Sequence, residues 1–170
     1  MATTYTQIGT AVTVGSGGAP SITFSAIPAT YTDLVLKVSA RLASGSGFML
    51  LDFNGLSTAN FSHRVLEGNG SSAYSFVSGN TNYATGLVGA GDTASTFNNA
   101  EFYIPNYAGS TNKSVSIDGV TENNGTTAYA DLEALLWSNT AAITQIRLTT
   151  NSGNNFAQYS TAYLYGVSNA

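Results

Sequence analysis

The sequence has few ionisable side chains and no cysteine. Of its 170 residues 8% are charged, one is histidine and none is cysteine. The absence of cysteine excludes disulfides, thiol nucleophiles and thiolate metal sites. A single imidazole leaves little material for a catalytic triad, and no G-x-S-x-G motif accompanies it. The composition therefore predicts a protein that presents a surface and is not an enzyme, and it predicts no cofactor and no metal.

Positive charge is also scarce. The formal net charge is −4 and the isoelectric point is about 4.6. The basic residues are scattered, at Lys37, Arg41, Arg64, Lys113 and Arg147. Binding to phosphates needs several clustered together, so we expect no nucleic-acid partner and no anionic membrane surface as a partner.

Long apolar runs are missing as well. No stretch approaches the ~18 apolar residues of a membrane span. The N-terminal run MATTYTQIGTAVTV lacks the basic segment and the unbroken apolar segment of a signal peptide. The expectation is a protein synthesised in a cytoplasm.

The residues that are abundant are typical of β-structure. Hydrophobic residues make up 43% of the chain and glycine occurs 18 times, and short β-branched or aromatic runs alternate with turns rich in Gly, Ser, Thr and Asn. About ten strands at spacings of about 8–12 residues predict one all-β domain over residues 1–170, a two-sheet antiparallel β-sandwich. The predicted strands are residues 5–14, 21–25, 33–42, 48–53, 60–67, 100–104, 113–118, 129–137, 143–150 and 159–167, with two further short segments, 73–77 and 84–88, inside a Gly/Ser/Asn-rich loop region around 68–96.

Alternation of apolar and polar residues predicts which side chains face the core. The clearest case is the strand at 33–42. The predicted core comprises Leu34, Leu36, Val38, Leu50, Phe102, Ile104, Ile117, Ile146, Leu148 and Leu164. Residues 131–137 contain good helix formers, so a short helix is the alternative to a strand there. The run 48–53 is apolar on both faces apart from Asp52, which predicts a strand covered on both sides.

Two polar features are candidates for chemistry. Asp131 and Glu133 share one face of a strand, as the carboxylates of a glycosidase or a calcium site would. No D-x-D-x-D-G pattern supports calcium, so we expect a solvated strand face or a polar contact between subunits. His63 is expected to be a structural or merely exposed histidine.

Tyrosines form a third feature, near the C-terminus. Tyr159, Tyr163 and Tyr165 alternate with Ala162 and Leu164. If the latter two face the core, the three tyrosines form an outward stripe, as at a subunit or capsid interface. The alternative is that the tyrosines face inward or cover the second sheet.

Two parts of the sequence resemble segments common in structural proteins of tailed bacteriophages. One is Tyr31-Thr32-Asp33-Leu34 within residues 25–36, and the other is residues 143–148 together with 155–167. The family's usual ending is similar to Phe-Ala-x-Gly-Ser-x-x-x-Leu-Tyr-Gly. Here Tyr159 stands where glycine is common. The family comprises decoration (cement) proteins and tail-fibre or spike domains, and the resemblance implies a jelly-roll type of sandwich, a homotrimer and attachment to a virion.

The expected function is therefore that of a capsid decoration protein on the capsid exterior. Its partners would be the major capsid protein and itself. The alternative is a receptor-binding or tail-fibre tip domain that recognises a glycan of the host surface. We favour decoration, because the strand pattern starts by about residue 5 and leaves no room for a fibre shaft.

Overall fold

A computed structural model of the chain describes residues 4–56, 60–79, 81–125 and 128–168. Within these ranges all regular structure is β-strand, and no helix is long and apolar enough to cross a membrane. The strands are β1 (Tyr5–Gln7), β2 (Val12–Thr13), β3 (Ile22–Phe24), β4 (Asp33–Ala40), β5 (Gly47–Phe53), β6 (Phe61–Gly68), β7 (Ala73–Gly79), β8 (Tyr83–Leu87), β9 (Asn98–Pro105), β10 (Lys113–Val120), β11 (Ala130–Trp137), β12 (Ile146–Thr150) and β13 (Thr161–Val167).

These strands form two antiparallel sheets, which confirms the predicted all-β, two-sheet β-sandwich. The large sheet has the order β1-β13-β4-β9-β10-β11-β6-β7, and β2 also pairs with β13. The small sheet has the order β3-β12-β5-β8. Residues 131–137 lie in strand β11, so the helical alternative is wrong.

The first predicted strand, residues 5–14, is divided in two. β1 pairs with residues 165–167 of β13, and β2 pairs with residues 161 and 162. Gly9 lies between them with a φ of 68°, a left-handed conformation that costs glycine little. The interruption explains in part why there are more strands than the sequence predicted.

The core lies between the two sheets, as the alternation predicted. All of the predicted core residues are buried except Leu50, which is half-buried. The prediction for Leu50 is wrong because the odd-numbered residues of β5 face the core, so Leu50 points to the outer side of the small sheet. Met49, Leu51 and Phe53 are the residues of β5 that enter the core.

The outer side of β5 is only partly covered. Phe48 is exposed, whereas Asp52 is buried and accepts hydrogen bonds from Arg147 Nη2 at 2.7 Å and Asn82 Nδ2 at 2.6 Å. The prediction of a strand covered on both sides therefore holds at Asp52 and fails at Phe48.

The Gly/Ser/Asn-rich region around 68–96 is divided between the sheets. It contributes β7 to the edge of the large sheet and β8 to the edge of the small one. Beyond β8, the guanidinium of Arg41 donates hydrogen bonds of 2.8–3.2 Å to the carbonyl oxygens of Ala90, Asp92, Thr93 and Thr96. One cation thus holds a segment that has no regular structure of its own.

The two segments that carry the phage resemblance are neighbours in the large sheet. β4 pairs with β13, so that Leu34 lies opposite Gly166. The backbone N–H of Thr32 donates to the carbonyl oxygen of Val167 at 2.8 Å. The ring of Tyr31 packs on Gly166 so closely that a Cβ there would lie 2.2 Å from the Cγ of Tyr31.

We therefore expect Gly166→Ala to lower the free energy of unfolding by about 1–3 kcal/mol, because the added methyl group displaces the Tyr31 ring. The matched control is Gly68→Ala in β6, where a Cβ would have no atom within 4 Å. Urea denaturation of both variants measures the difference. Equal stabilities would contradict the packing of Tyr31 on Gly166.

Candidate functional site

Two of the three predicted tyrosines lie on the outer face, which we define as the face of the large sheet that points away from the small sheet. Ala162 and Leu164 of β13 are buried in the core, so Tyr163 and Tyr165 project outward, as the outward arrangement predicted. Tyr163 is exposed. Tyr165 is half-buried and contacts Tyr5 edge-on, with ring centroids 6.3 Å apart.

Tyr159 differs from the other two because it lies before the strand. It occupies a turn with a φ of 71°, and its side chain is 67% exposed. Left-handed backbone is unfavourable for a residue with a Cβ, which gives a physical reason for glycine at this position in the proteins that the chain resembles. The stripe therefore consists of two strand residues and one turn residue.

The outer face near β13 is partly covered by its own aromatic residues. Val35 lies between Tyr165 on β13 and Tyr103 on β9, and it is almost fully buried although it faces outward. The hydroxyl of Tyr103 donates to Asp33 at 2.7 Å, and this hydrogen bond raises the pKa of the Tyr103 hydroxyl. This part of the face is a fixed aromatic surface.

Asp131 and Glu133 do share a face of β11, but it is the inner one. Both are buried, so the expectation of a solvated strand face or a contact between subunits is wrong. The reason is the packing of Leu135 and Trp137 into the core from the same strand. A strand has a period of two, so residues 131 and 133 must follow them inward.

The carboxyl groups lie against strand β8, which is the edge of the small sheet. Oδ2 of Asp131 is 3.3 Å from the hydroxyl of Thr85 and 3.5 Å from the backbone nitrogen of Gly86, and both can donate to it. A bare strand edge exposes unpaired backbone groups. Asp131 thus closes an edge that the small sheet leaves open.

His63 belongs to the same cluster and lies on β6. Its Nδ1 is 3.5 Å from Oε2 of Glu133, and its ring lies edge-on to Phe76 and Tyr83. His63 is buried, which confirms the structural alternative and not the exposed one. Glu133 Oε2 and Trp137 Nε1 are buried without a hydrogen-bond partner among the described residues.

Burial holds Glu133 and His63 neutral at neutral pH, whereas Asp131 is largely ionised there. Desolvation, followed by the charges of Asp131 and Glu67, raises the pKa of Glu133 to about 9. Desolvation, followed by the charge of Glu67, raises the pKa of Asp131 to about 6. Burial lowers the pKa of His63, so Glu133 and His63 form a contact between two neutral groups at neutral pH and not an ion pair.

A cleft opens beside this cluster at the edge of β8. Its volume is about 390 Å³, and it is lined by residues that include Phe48, Glu67, Asp92, Tyr129 and Asn151. The ring of Phe48 stacks on Tyr83, with centroids 5.6 Å apart. Aromatic faces beside carboxylate and amide groups are the elements of a site for a polar ligand such as a sugar.

Across residues 4–56, 60–79, 81–125 and 128–168, no group of three or more His, Asp or Glu side chains is arranged to hold a metal ion. The absence of a cofactor stays a prediction. The sequence analysis missed the cleft and the outward face of β11, since both depend on which side of each strand points to the core.

The buried carboxyl groups predict a stability that falls as pH rises. Unfolding returns Asp131 and Glu133 to their ordinary pKa values near 4, so between about pH 4 and about pH 9 the folded state holds more protons. The stabilising effect is complete below about pH 4 and is lost as pH rises through the folded pKa values. We expect the free energy of unfolding to fall by at least about 2 kcal/mol between about pH 5 and about pH 9.

Glu133→Gln keeps the shape and removes the titration, so its stability should depend less on pH and exceed that of the wild type at about pH 9. Glu101→Gln is the control, because Glu101 is an exposed carboxylate that pairs with Lys37. Denaturant unfolding across the pH range measures both. A Glu133→Gln profile parallel to that of the wild type would contradict the assignment.

Comparison with known families and proteins does not identify a relative of this chain. No protein-family model matches the chain. No curated protein and no solved structure matches it either. The functional argument therefore depends on the residues and their arrangement.

Proposed function

We propose that this chain is a non-enzymatic structural protein of a tailed-bacteriophage virion, and that it binds the outer capsid shell as a decoration protein and stabilises it. The observation that carries the proposal is the contact between the two segments of phage resemblance. They are distant in the sequence but hydrogen-bonded neighbours in β4 and β13, with Tyr31 against Gly166. Two segments that form one structural unit support a common origin more strongly than two unrelated matches would.

The strand order supports the jelly-roll type. When β1 and β2 count as one strand and β6, β7, β10 and β11 are set aside, eight strands remain. The first of the eight pairs with the last, the second with the seventh, the third with the sixth and the fourth with the fifth, in an antiparallel manner. These four pairs are nested, as in one long hairpin that is rolled into two sheets. A jelly roll has this connectivity. The four strands set aside extend the large sheet.

Docking on a shell would use shape, apolar contact and hydrogen bonds, because the chain has few charges. Tyr159, Tyr163 and Tyr165 are the residues we assign to the interface with the capsid or between subunits. Tyrosine is enriched in such interfaces. In the homotrimer that the resemblance implies, each contact would occur three times, so that modest contacts add up to firm binding.

One observation favours the second candidate, a receptor-binding tip domain. The cleft beside β8 combines Phe48 and Tyr129 with Glu67 and Asp92, which suits a host glycan. Carboxylates accept hydrogen bonds from sugar hydroxyls and aromatic rings pack against sugar faces. The outer face has no role in this alternative.

The test of decoration is rebinding of the purified protein to shells that lack it. We expect binding to persist at about one molar salt, because contacts that are not ionic are little screened. We also expect bound shells to withstand heat or dilution better. Co-sedimentation and a thermal scan of the shells measure both effects.

Variants locate the surface. Tyr159→Ala and Tyr163→Ala should each weaken binding about tenfold, as loss of an interface tyrosine does. Tyr74→Ala is the matched control, since Tyr74 is an exposed tyrosine on β7 at the far edge of the large sheet. If the protein ignores the shells but binds host cells, and Phe48→Ala abolishes that binding, the glycan candidate replaces decoration.

A further inference from the structure

The outer face carries an apolar patch at the end of the large sheet far from the tyrosines. We define the leucine patch as Leu66, Val77, Val120, Leu132 and Leu136, which lie on β6, β7, β10 and β11. Leu66, Val77 and Leu132 are 53%, 64% and 58% exposed. Leu132 lies opposite Leu66, and Val77, which lies opposite Arg64, is the diagonal neighbour of Leu66. Large contiguous apolar patches on a protein surface mark sites of interaction.

The polarity of β11 is reversed relative to an ordinary surface strand. Its inner side carries Asp131 and Glu133, and its outer side carries Ala130, Leu132, Ala134 and Leu136. In a sheet with one wet face the polar residues point out. A strand that buries two carboxyl groups while it exposes a row of apolar side chains is suited to an outer face that is covered.

Two charged side chains lie within the outline of the patch, and they have opposite signs. Arg64 on β6 and Asp118 on β10 are both exposed, and neither forms an ion pair among the described residues. They lie two strands apart across β11 and one step along it, since Arg64 is opposite Ala134 and Asp118 is opposite Leu132. The patch therefore includes within its outline one cation and one anion that have no ion-pair partner among the described residues.

We propose that the leucine patch is the docking site for a second copy of this chain, related by a two-fold axis, with Arg64 of each copy bound to the partner's Asp118. When a two-fold axis lies in the plane of the interface, each position on one copy faces the position on the partner that is its reflection across that axis. An interface of this kind must be self-complementary, and a cation and an anion placed symmetrically about the patch meet that condition. A flat apolar surface without charges would not specify a second copy.

The apolar residues satisfy the same symmetry. Positions on the face follow from a strand spacing of about 4.8 Å and a repeat of about 6.8 Å along each strand. With the axis midway between Arg64 and Asp118, Leu132 lies next to the partner's Leu66 and Val77 lies next to the partner's Val120. Leu136 then lies opposite the partner's Tyr103, and the strands of the two copies cross at about 70°, nearer to orthogonal than to aligned sheet packing.

The size of the face is sufficient. Strands β4, β9, β10, β11, β6 and β7 lie side by side over about 29 Å and are about 27 Å long, which gives about 780 Å². A stable interface of standard size needs about 800 Å² from each partner. The Lys37–Glu101 ion pair on β4 and β9 lies within this area and is already neutralised within the chain.

This inference goes beyond the proposed function and does not depend on it. The tyrosines assigned to the shell or to a trimer lie at the β13 end of the large sheet, and the leucine patch lies at the other end. The six strands counted for the self-association end at β4, so the tyrosines on β13 and before it lie just beyond that area. The pairing would link a decoration protein to its neighbour on the shell, or it would operate in solution alone.

The test is a charge swap followed by sedimentation equilibrium of the full chain. Arg64→Asp and Asp118→Arg each set like charges against each other at two symmetric contacts, so each should weaken self-association at least about tenfold. The double variant restores both ion pairs and should restore association. Ser16→Arg adds positive charge at an exposed turn position after β2, at the β13 end of the large sheet, and should leave association unchanged.

Leu132→Gln is a second disruptive variant that does not alter charge, and it should also reduce association while the thermal unfolding of the monomer stays cooperative. A wild-type chain that is monomeric at about 100 µM overturns the proposal, since a patch of this size should associate at such a concentration. A trimer whose mass is unchanged in all these variants also overturns the proposed pairing, and it leaves the proposed function intact. Single variants that dissociate without rescue by the double variant contradict the Arg64–Asp118 pairing.

Discussion

The inward packing of Trp137 determines the arrangement of the large sheet beyond β10. Its indole is fully buried and contacts the rings of Phe53 and Phe61, so it joins the small sheet to β6 and β11. Once Trp137 is inside, the two-residue period of a strand leaves no freedom for the rest of β11. Asp131 and Glu133 must be buried and Leu132 and Leu136 must be exposed. The buried polar cluster and the leucine patch are two consequences of one contact.

The burial of two carboxyl groups is tolerable because they are not isolated charges. An unpaired buried carboxylate would be very costly, and a proton removes most of that cost at Glu133, whose pKa is about 9, whereas Asp131, whose pKa is about 6, is largely ionised at neutral pH. Asp131 in addition accepts hydrogen bonds at the edge of β8, where the small sheet ends. The cluster thus closes the side of the sandwich at which the large sheet extends past the small one. Because it is sealed by β8, it forms part of the structure, whereas the adjacent cleft is open to a ligand.

The low charge of the chain has different consequences at the two ends of the large sheet. At the β13 end, aromatic side chains cover Val35 and hold Asp33 through Tyr103, which gives a rigid surface of low polarity. At the β7 end, exposed apolar side chains surround Arg64 and Asp118. A protein with so few charges has few means to direct association, so two isolated opposite charges within an apolar patch provide much of the available specificity.

The residues by themselves determined a good part of the fold. Alternation in β4, β9 and β13 identified the inward side chains, because the apolar face of a strand is stable only when it packs against the core. Alternation did not predict the buried face correctly in strands where either face could have packed against the core. In β11 the polar residues 131 and 133 suggested the outward face, and only the burial of Trp137 and Leu135 reversed it. In β5, where both faces are largely apolar, Leu50 and Leu51 were equally suited to the core, and only the folded structure turned Met49, Leu51 and Phe53 inward.

The sequence by itself determined the all-β class, the scarcity of ionisable chemistry and a resemblance in two separate segments, and it left open whether Tyr163 and Tyr165 face outward. Only the tertiary structure decided that those segments are adjacent, that His63 and Glu133 meet in the interior, and that Arg64, Leu132 and Asp118 share one open face. The physical reason is that period and composition are local properties of a strand. Which strands become neighbours depends on long-range pairing between β6, β10 and β11, and this pairing is fixed only when the whole core packs.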